Sequence, residues 1–466
     1  MNFKKIGLLA VLGLGLIAVI FFGVQRLTKG TLTVTTGNKT SSIRIVQAMT
    51  DAASEVASAK VINESKGSVS LTVPSGTYFV AVENGYQATS KTVTVENGKT
   101  TSINLSTVQT TPVEPVADTN AKSIIAGKTH AYYLDPTTQN LFSITGDNKI
   151  QSVNPAIQFS SIQWVDSTYG IGQGINGSLY SISNGAIAHL DTRIPVSFIS
   201  ESNFAVAPSR QLYVTFNNAV YRSNPGTAPQ KIASTTGSAH LVASVDGVTV
   251  ITSGGSGAKA KTDAATITFI DLKGGSVKKE MGVYELAWSP DGKQVATSDD
   301  VASTLYDRNF KKLASLPAAN TSNLVWLDNN TLLYAVSSQL WRYNIVTQLA
   351  ERIANMPDQG ALSGISPSDQ KDYVYVAAEH GYNKPVIKRV GLQGQKFDDV
   401  VNQLQAVMPI ITNDYLMTLV NFSQPTVFVQ PTAYTELSTY TQAATADLKA
   451  RGINIAAIKL VFGQTN

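Results

Sequence analysis

Most of the chain consists of short stretches in which apolar and polar residues alternate, and turn-forming residues separate these stretches. Alternation with a period of two places every second side chain on the same face, as in a β-strand. The clearest example is residues 283–298, V-Y-E-L-A-W-S-P-D-G-K-Q-V-A-T-S, where one such stretch runs through Asp291 and Gly292 into a second. Asp and Gly tolerate the backbone angles of a tight reversal, so the segment predicts a β-hairpin.

Weaker copies of this hairpin recur between residues 121 and 395, at a spacing of roughly 40 residues, which is typical of four-stranded propeller blades. The pattern predicts seven first strands, near Ser123–Ala126, Ser161–Val165, Val196–Ile199, His240–Val245, Tyr284–Trp288, Asn323–Leu327 and Ala361–Ile365. We therefore predict a seven-bladed β-propeller, with six or eight blades as alternatives. How the ring closes stays open, because the last unit has no obvious fourth strand.

The phrase W-S-P-D-G-K-Q-V-A at residues 288–296 is similar to the repeats of TolB-like and WD40-like propellers. It occurs as one strong copy among weaker ones. The G-H and W-D signatures of eukaryotic WD40 repeats are missing, which disfavours that type. The resemblance implies a propeller fold and names no ligand.

Residues 6–24 form an uninterrupted run of apolar residues and glycine behind Lys4 and Lys5. A helix of this length spans roughly 28 Å, which is about the thickness of the hydrocarbon core of a bilayer. The pattern predicts a transmembrane anchor with a cytoplasmic stub at residues 1–5 and the bulk of the chain outside the cytoplasm. A cleaved signal peptide is the alternative, but its apolar region is usually shorter and ends at small residues.

Residues 30–106 alternate over at least six short strands and predict a small β-sandwich. The phrase V-P-S-G-T-Y-F-V-A-V-E-N-G-Y at residues 73–86, with G-K-T-T at residues 98–101, resembles the PEGA domain, a small bacterial surface sandwich. That resemblance implies a spacer or binding module without catalytic residues. Residues 107–120, which contain Pro112 and Pro115, read as a linker by composition.

Residues 396–466 change pattern and predict a small α+β domain. Residues 398–407 carry apolar side chains at helical spacing, and residues 415–420 and 426–429 alternate as strands. A second helix is predicted to end at Arg451 and Gly452, because a cation followed by glycine is a common helix stop. A last strand at residues 457–462 completes an αββαβ order.

Composition narrows the possible chemistry. The chain has 466 residues, 43% of them hydrophobic and 15% charged, with a net charge of +4 and no cysteine. The lack of cysteine removes disulfides, thiolate metal sites and cysteine nucleophiles, and it favours a bacterial over a secreted animal protein. No block of Lys and Arg is present, so nothing supports a nucleic-acid partner.

No constellation of residues predicts a catalytic, cofactor or metal site. The four histidines fall in different predicted blades, at no metal-ligand spacing: His130, His189, His240 and His380. Five acidic residues occupy repeated turn positions, where a structural role is sufficient: Asp166, Asp246, Asp291, Asp328 and Asp369. Five aromatic residues are expected in the core between blades: Tyr133, Trp164, Trp288, Trp326 and Trp341. The segment at residues 253–262, rich in Gly and Ser, is expected to be a flexible insertion.

The domain order predicts a membrane-anchored binding or scaffold protein of the bacterial cell envelope, without catalysis. Its partner would be an envelope protein or a glycan. The alternative is an envelope hydrolase acting on glycans or peptides, with a site at the mouth of the propeller channel. A sensory ectodomain is a third possibility, although residues 1–5 leave little room for a signalling output.

Overall fold

The computed structural model describes residues 29–47, 61–107, 111, 113–127, 130–145, 148–193, 204–235, 239–252, 265–299, 303–317, 321–356, 359–379, 384–392, 399–421, 425–432 and 437–463. The predicted stub at residues 1–5, the predicted anchor at residues 6–24 and the insertion at residues 253–262 lie outside these ranges. Within them, no helix is long and apolar enough to cross a bilayer. The chain divides into two compact units, residues 1–84 with 88–108, and residues 85–87 with 109–466.

The first unit contains two β-sheets. Its strands are β1 (Lys29–Thr35), β2 (Ser42–Gln47), β3 (Val61–Lys66), β4 (Val69–Pro74), β5 (Gly76–Asn84), β6 (Gln87–Val95) and β7 (Thr100–Asn104). One sheet has the order β4-β1-β7, with β1 antiparallel to β4 and parallel to β7. The other contains β6-β5-β2-β3. Alternate residues such as Leu32 and Val34, or Val80 and Val82, are buried, so each sheet has an apolar face, as in a two-sheet sandwich.

The second unit begins with β8 (Val113–Ala117) and continues as consecutive groups of four strands. The first two groups are β9 (Lys122–Ala126), β10 (His130–Leu134), β11 (Leu141–Thr145) and β12 (Ile150–Ser152), then β13 (Phe159–Asp166), β14 (Tyr169–Gly174), β15 (Leu179–Ser183) and β16 (Ala186–His189). The next two are β17 (Phe204–Val206), β18 (Leu212–Phe216), β19 (Ala219–Ser223) and β20 (Gln230–Ser234), then β21 (Ala239–Ser244), β22 (Gly247–Thr252), β23 (Ala265–Asp271) and β24 (Ser276–Met281).

The remaining groups are β25 (Glu285–Trp288), β26 (Gln294–Ser298), β27 (Ser303–Asp307) and β28 (Lys312–Ser315), then β29 (Thr321–Asp328), β30 (Thr331–Val336), β31 (Gln339–Asn344) and β32 (Leu349–Asn355), and finally β33 (Leu362–Pro367), β34 (Tyr373–Ala378) and β35 (Val386–Gly391). Each group forms an antiparallel sheet in sequence order. In the described part of the chain this gives six complete four-stranded sheets and a seventh with three strands of its own.

Strand β8 is the fourth strand of the seventh sheet. It pairs antiparallel with β35, with Val113 opposite Val390 and Glu114 opposite Arg389. The segment at residues 107–120 was interpreted as a linker from its composition, but it contains the fourth strand of the last blade. This strand closes the ring, which the sequence had left open. Composition is misleading here because Pro115 stands in an outer strand, where a missing backbone donor is tolerated.

The sheets form a closed ring. The first strand of each sheet contacts the first strand of the next, from β9 through β13, β17, β21, β25 and β29 to β33, and β33 contacts β9 again. Seven four-stranded sheets in this arrangement are the blades of a β-propeller, which confirms the predicted propeller. The first strand of the third blade was predicted near Val196–Ile199, which lie outside the described residues. The structure instead uses β17, where Phe204 is opposite Val214.

The blades are joined by apolar clusters and by tryptophan side chains. Three indole N–H groups donate to a neighbouring blade: Trp164 Nε1 to Ser123 O at 2.6 Å, Trp288 Nε1 to Thr249 Oγ1 at 2.8 Å, and Trp326 Nε1 to Ala287 O at 3.0 Å. Trp341 Nε1 bonds within its own blade, to Gln339 Oε1. Tyr133 stacks on Phe142 and belongs to the core between the seventh and first blades. Trp164, Trp288, Trp326 and Tyr133 therefore hold neighbouring blades together, whereas the indole N–H of Trp341 bonds inside the sixth blade.

The last described part of the chain is a small α+β module that contains the predicted αββαβ elements and one more short strand after the first helix. It consists of α1 (Asp399–Val407), β36 (Ile410–Ile411), β37 (Tyr415–Asn421), β38 (Thr426–Pro431), α2 (Leu437–Ala450), a 3-10 turn at Ile455–Ala457 and β39 (Lys459–Phe462). Its sheet has the order β36-β37-β38-β39, and β39 runs parallel to β38. Val401 and Leu404 of α1 share one buried cluster with Val390 and Leu392 of the seventh blade. The module is thus packed onto the propeller rather than tethered to it.

Candidate binding cleft between the third and fourth blades

The turn carboxylates that recur along the sequence are engaged in their own turns. The amide of Thr168 donates to Asp166 Oδ1 at 2.7 Å, and the amide of Asn330 donates to Asp328 Oδ1 at the same distance. Asp291 Oδ1 accepts from Ser289 Oγ at 2.8 Å and from the Lys293 amide. These are the local turns that Asp side chains form with the backbone two residues on.

The other two carboxylates bind residues of other blades. Asp246, in the fourth blade, forms an ion pair with Arg308 of the fifth. Asp369, in the seventh blade, accepts a hydrogen bond from Ser167 Oγ of the second blade at 2.6 Å. Each candidate acid thus already has a hydrogen-bond donor or a cation as its partner. These contacts explain why an acid stands at each position, and they are structural.

The carboxylate of Asp291, at the most conspicuous turn, is held in its charged form. Partial burial acts to raise the pKa of Asp291, but hydrogen bonds from Ser289 and Lys293 and the charge of Lys293 together lower it. Asp291 is therefore ionised at neutral pH and is a poor general acid.

The three histidines that the structure describes lie in different blades. His130 lies edge-on to Tyr132 in the first blade, His189 lies edge-on to Tyr180 in the second, and His240 is on the first strand of the fourth. His380 lies outside the described residues. Over the described ranges no three His, Asp or Glu side chains gather where they could hold a metal ion.

A cleft between the third and fourth blades does bring functional groups together. Its floor is a row of three residues that are opposite one another on adjacent strands, Tyr213 on β18, Arg222 on β19 and Gln230 on β20. Directly opposed residues of antiparallel strands place their side chains on the same face of the sheet. Tyr213 also packs with Leu241 and Val248 of the fourth blade, so this is the face that the third blade turns toward its neighbour.

The wall of the cleft is the turn between β23 and β24. Asp271 Oδ1 accepts hydrogen bonds from the amides of Lys273 and Gly275, both at 2.8 Å, which fixes the turn. The Leu272 amide donates to Asp246 O at 2.9 Å and ties the turn to the neighbouring hairpin. Gly274 has a φ of 88°, a left-handed conformation that favours glycine. The wall is therefore held in place before any ligand arrives.

The cleft has a volume of about 240 Å³ and carries an excess of positive charge. Its charged lining residues are Arg222, Lys231, Lys273 and Asp271. The guanidinium of Arg222 donates to the neutral Gln230 Oε1. Neither lysine has an ion-pair partner among the described residues. The acids nearby are already engaged, Asp271 by turn amides and Asp246 by Arg308.

A hydroxyl with no partner completes the lining. Tyr213 is only 2% exposed, and its Oη makes no hydrogen bond with any described residue. Burial raises the pKa of Tyr213, while the charge of Arg222 lowers it and the charge of Asp246 raises it by smaller amounts. The phenol is therefore protonated at neutral pH and can donate a hydrogen bond.

The sequence did not predict this cleft. Its residues come from three strands and one turn, and only the register of the third blade and the packing of the fourth bring them together. The weak indication in the sequence is that cations occur both at the end of a third strand, at Arg222, and in a later turn, at Lys273.

Comparisons with known proteins show only distant likeness. No protein-family model matches the sequence. No curated protein matches it either. Among solved structures, a chain of a mitotic checkpoint complex is 11% identical, with 61% of this chain and 93% of that chain covered and a TM-score of 0.43. A gluconolactonase from Xanthomonas campestris is 13% identical, with 60% and 89% covered and a TM-score of 0.34. The propeller assignment rests on the strand order and ring contacts of this chain.

Proposed function

We propose that this protein is a binding scaffold of the bacterial cell envelope, anchored in the membrane by residues 6–24 and presenting its propeller outside the cytoplasm. The PEGA-like domain at residues 30–106 serves as a spacer, and the cleft between the third and fourth blades is a binding site of the propeller. A rigid ring with a preformed charged cleft suits recognition, because little order has to be gained on binding.

One observation supports a binding role over catalysis: each of the turn carboxylates already accepts a hydrogen bond or forms an ion pair within the protein. A glycoside hydrolase needs two carboxyl groups that face a common substrate. Asp166, Asp291 and Asp328 instead accept hydrogen bonds from amides of their own turns. Asp246 binds the neighbouring fifth blade, and the seventh-blade Asp369 accepts from Ser167 of the second blade. The hydrolase alternative would have to use other residues.

A photo-crosslinking amino acid tests the binding role in intact cells that express the full chain. Position 272 is suitable, because Leu272 lies in the cleft wall and is 47% exposed. Position 346 is a matched control, because Val346 is an exposed apolar residue in the equivalent turn of the sixth blade. The proposal predicts a discrete covalent adduct from position 272 and none from position 346.

Protease treatment of intact cells tests the location. The proposal predicts that externally added protease releases the propeller. Complete protection of the propeller would overturn the outward orientation. Absence of any adduct at position 272, combined with hydrolytic activity of the purified full chain, would overturn the scaffold role.

A further inference from the structure

We propose that strand β39 pairs with the β39 of a second copy of this chain, which joins two four-stranded sheets of the α+β module into one continuous sheet. The pairing is antiparallel, about a two-fold axis that passes between the Val461 residues of the two copies. This inference goes beyond the proposed binding function and does not depend on the cleft between the third and fourth blades.

Strand β39 is an open edge of the module. Among the described strands it pairs with β38 alone, in a register without a bulge. Its sequence is K-L-V-F, and its three apolar residues, Leu460, Val461 and Phe462, are only partly buried. Natural sheet edges are commonly protected by charges, prolines or bulges. An apolar edge without these protections indicates that another strand pairs with it.

The hydrogen bonds of β39 determine which of its backbone groups point outward. The amide of Lys459 donates to Pro425 O, and the amide of Gly463 donates to Val429 O, both at 2.8 Å. Successive residues of a strand direct their backbone groups to opposite sides, so Val461 points the same way as Lys459 and Gly463. The residues between them, Leu460 and Phe462, therefore direct their N–H and C=O groups to the open edge.

These outward groups select one register. If Leu460 lies opposite Phe462 of the partner subunit, the two residues exchange N–H···O bonds in both directions, as a hydrogen-bonded antiparallel pair does. The two-fold axis repeats this pair, so the outward groups of both residues are satisfied in each copy. A shift by one residue would bring outward groups opposite inward ones and would form none of these bonds.

Charge favours a second copy at this edge. In this register Lys459 lies opposite Gly463 of the partner subunit, so the two Lys459 residues are separated by about 13 Å along the strands, at roughly 3.3 Å per residue. That distance exceeds the Debye length of about 8 Å at physiological salt, so the two cations repel each other little. Strand β24, an outer strand of the propeller without a bulge, instead carries Lys278 and Lys279 at its centre. Antiparallel pairing of β24 with its own copy would oppose like charges.

Val461 is the residue that meets its own copy. It lies between the two hydrogen-bonded pairs and so forms a non-hydrogen-bonded pair, whose Cα atoms are about 4.5 Å apart. On its other side Val461 is opposite Phe428 of β38. The Val461 pair thus adds apolar contact to the backbone pairing. Because so short a strand buries little surface, we expect a dimer that dissociates on dilution.

A disulfide trap tests the pairing, because the natural chain has no cysteine. Val461→Cys places two thiols at the two-fold axis, at a Cα separation that a disulfide accepts. Leu313→Cys is the matched control, because Leu313 lies on β28 of the fifth blade and is 50% exposed, more than Val461. Mild oxidation of the full chain in detergent micelles should link the Val461 variant into dimers about tenfold faster than the control. Equal or slower linking would overturn the proposal, because accessibility alone would then explain it.

A charge at the two-fold axis tests the same pairing without a cross-link. Val461→Lys would oppose two cations, which should raise the dissociation constant of the dimer at least about tenfold. Lysine is a natural protection of sheet edges, so an unchanged thermal midpoint would show that this variant is folded. Leu313→Lys should leave the dissociation constant unchanged. Sedimentation of the full chain in micelles measures both, and equal dissociation constants for the wild type and Val461→Lys would overturn the proposal.

The mass of the adduct that the Val461→Cys variant forms in intact cells identifies what occupies the edge. An adduct of twice the mass of the chain supports a second copy. An adduct of any other mass would show that a different extended segment pairs with β39, and it would overturn the pairing of β39 with itself. A wild-type chain that stays monomeric at all concentrations in micelles would overturn it as well.

Discussion

Strand β8 closes the propeller, and a disulfide across its pairing with β35 tests that closure. Glu114 and Arg389 are opposite each other on the two strands and are 275 residues apart in the sequence. Opposed residues of antiparallel strands have Cβ atoms roughly 4.5–5.5 Å apart, which is close to the separation that a disulfide needs. The natural chain has no cysteine, so Glu114→Cys with Arg389→Cys introduces the only thiols.

The structure sets the size of the expected effect. A cross-link that closes a loop of this length stabilises a folded chain by about 5–6 kcal/mol in the chain-entropy model, which is an upper limit for engineered disulfides. The double substitution removes an ion pair between Arg389 and Glu114 whose side chains are 35% and 41% exposed. A pair that exposed contributes at most about 1 kcal/mol. The net gain is therefore at most about 5–6 kcal/mol, and about 1 kcal/mol less where the ion pair contributes its full amount.

Non-reducing electrophoresis and urea unfolding with and without reductant measure the result in the full chain. Mild oxidation of the folded protein should form the disulfide, and the oxidised form should unfold at higher urea than the reduced form. Glu114→Cys with Lys312→Cys is the control, because Lys312 lies on the outer strand of the fifth blade and, among the described strands, this strand pairs with β27 and not with β8. Equal cross-linking rates in the two variants, or equal unfolding midpoints of the oxidised and reduced forms, would refute the closure.

Two further substitutions probe single features of the ring. Burial raises the pKa of Glu285 despite hydrogen bonds from the backbone of the next blade, so the folded protein holds this proton more tightly than the unfolded chain does. The wild type therefore loses stability as the pH rises above the ordinary carboxyl pKa. Glu285→Gln should have a higher thermal midpoint than the wild type at pH 7 and the same midpoint below about pH 4. A lower midpoint of the variant at pH 7 would contradict this reasoning. Gly247→Ala would place a Cβ 2.3 Å from Ile270 O, and overpacking of this kind typically costs about 1–3 kcal/mol of unfolding free energy. Gly282→Ala is its control, since that Cβ would meet nothing closer than 3.7 Å, and equal urea midpoints for the two variants would show that the close approach is absent.

Local sequence patterns predicted much of the fold. The reversal at Asp291 and Gly292 is present between β25 and β26, where Gly292 has a φ of 67° and its amide donates to Ser289 O. Such hairpins depend on adjacent residues, so alternation and turn chemistry suffice to find them. The closing strand could not be found in this way, because β8 depends on a partner 275 residues away and carries a proline that resembles linker composition.

The cleft illustrates why a binding site can escape sequence reasoning altogether. In a propeller, alternation identifies which residues of a strand share a face, but it does not identify which face meets the next blade. Tyr213 and Arg222 acquire their common position from the register of β18 with β19. Lys273 joins them only because the turn after β23 lies against that face. The repeated turn acids drew attention because repetition is visible in a sequence, and they prove to be structural. Residues that repeat from blade to blade in a propeller therefore mark its structural framework. A binding site is better sought where the residues of one blade differ from those of the others.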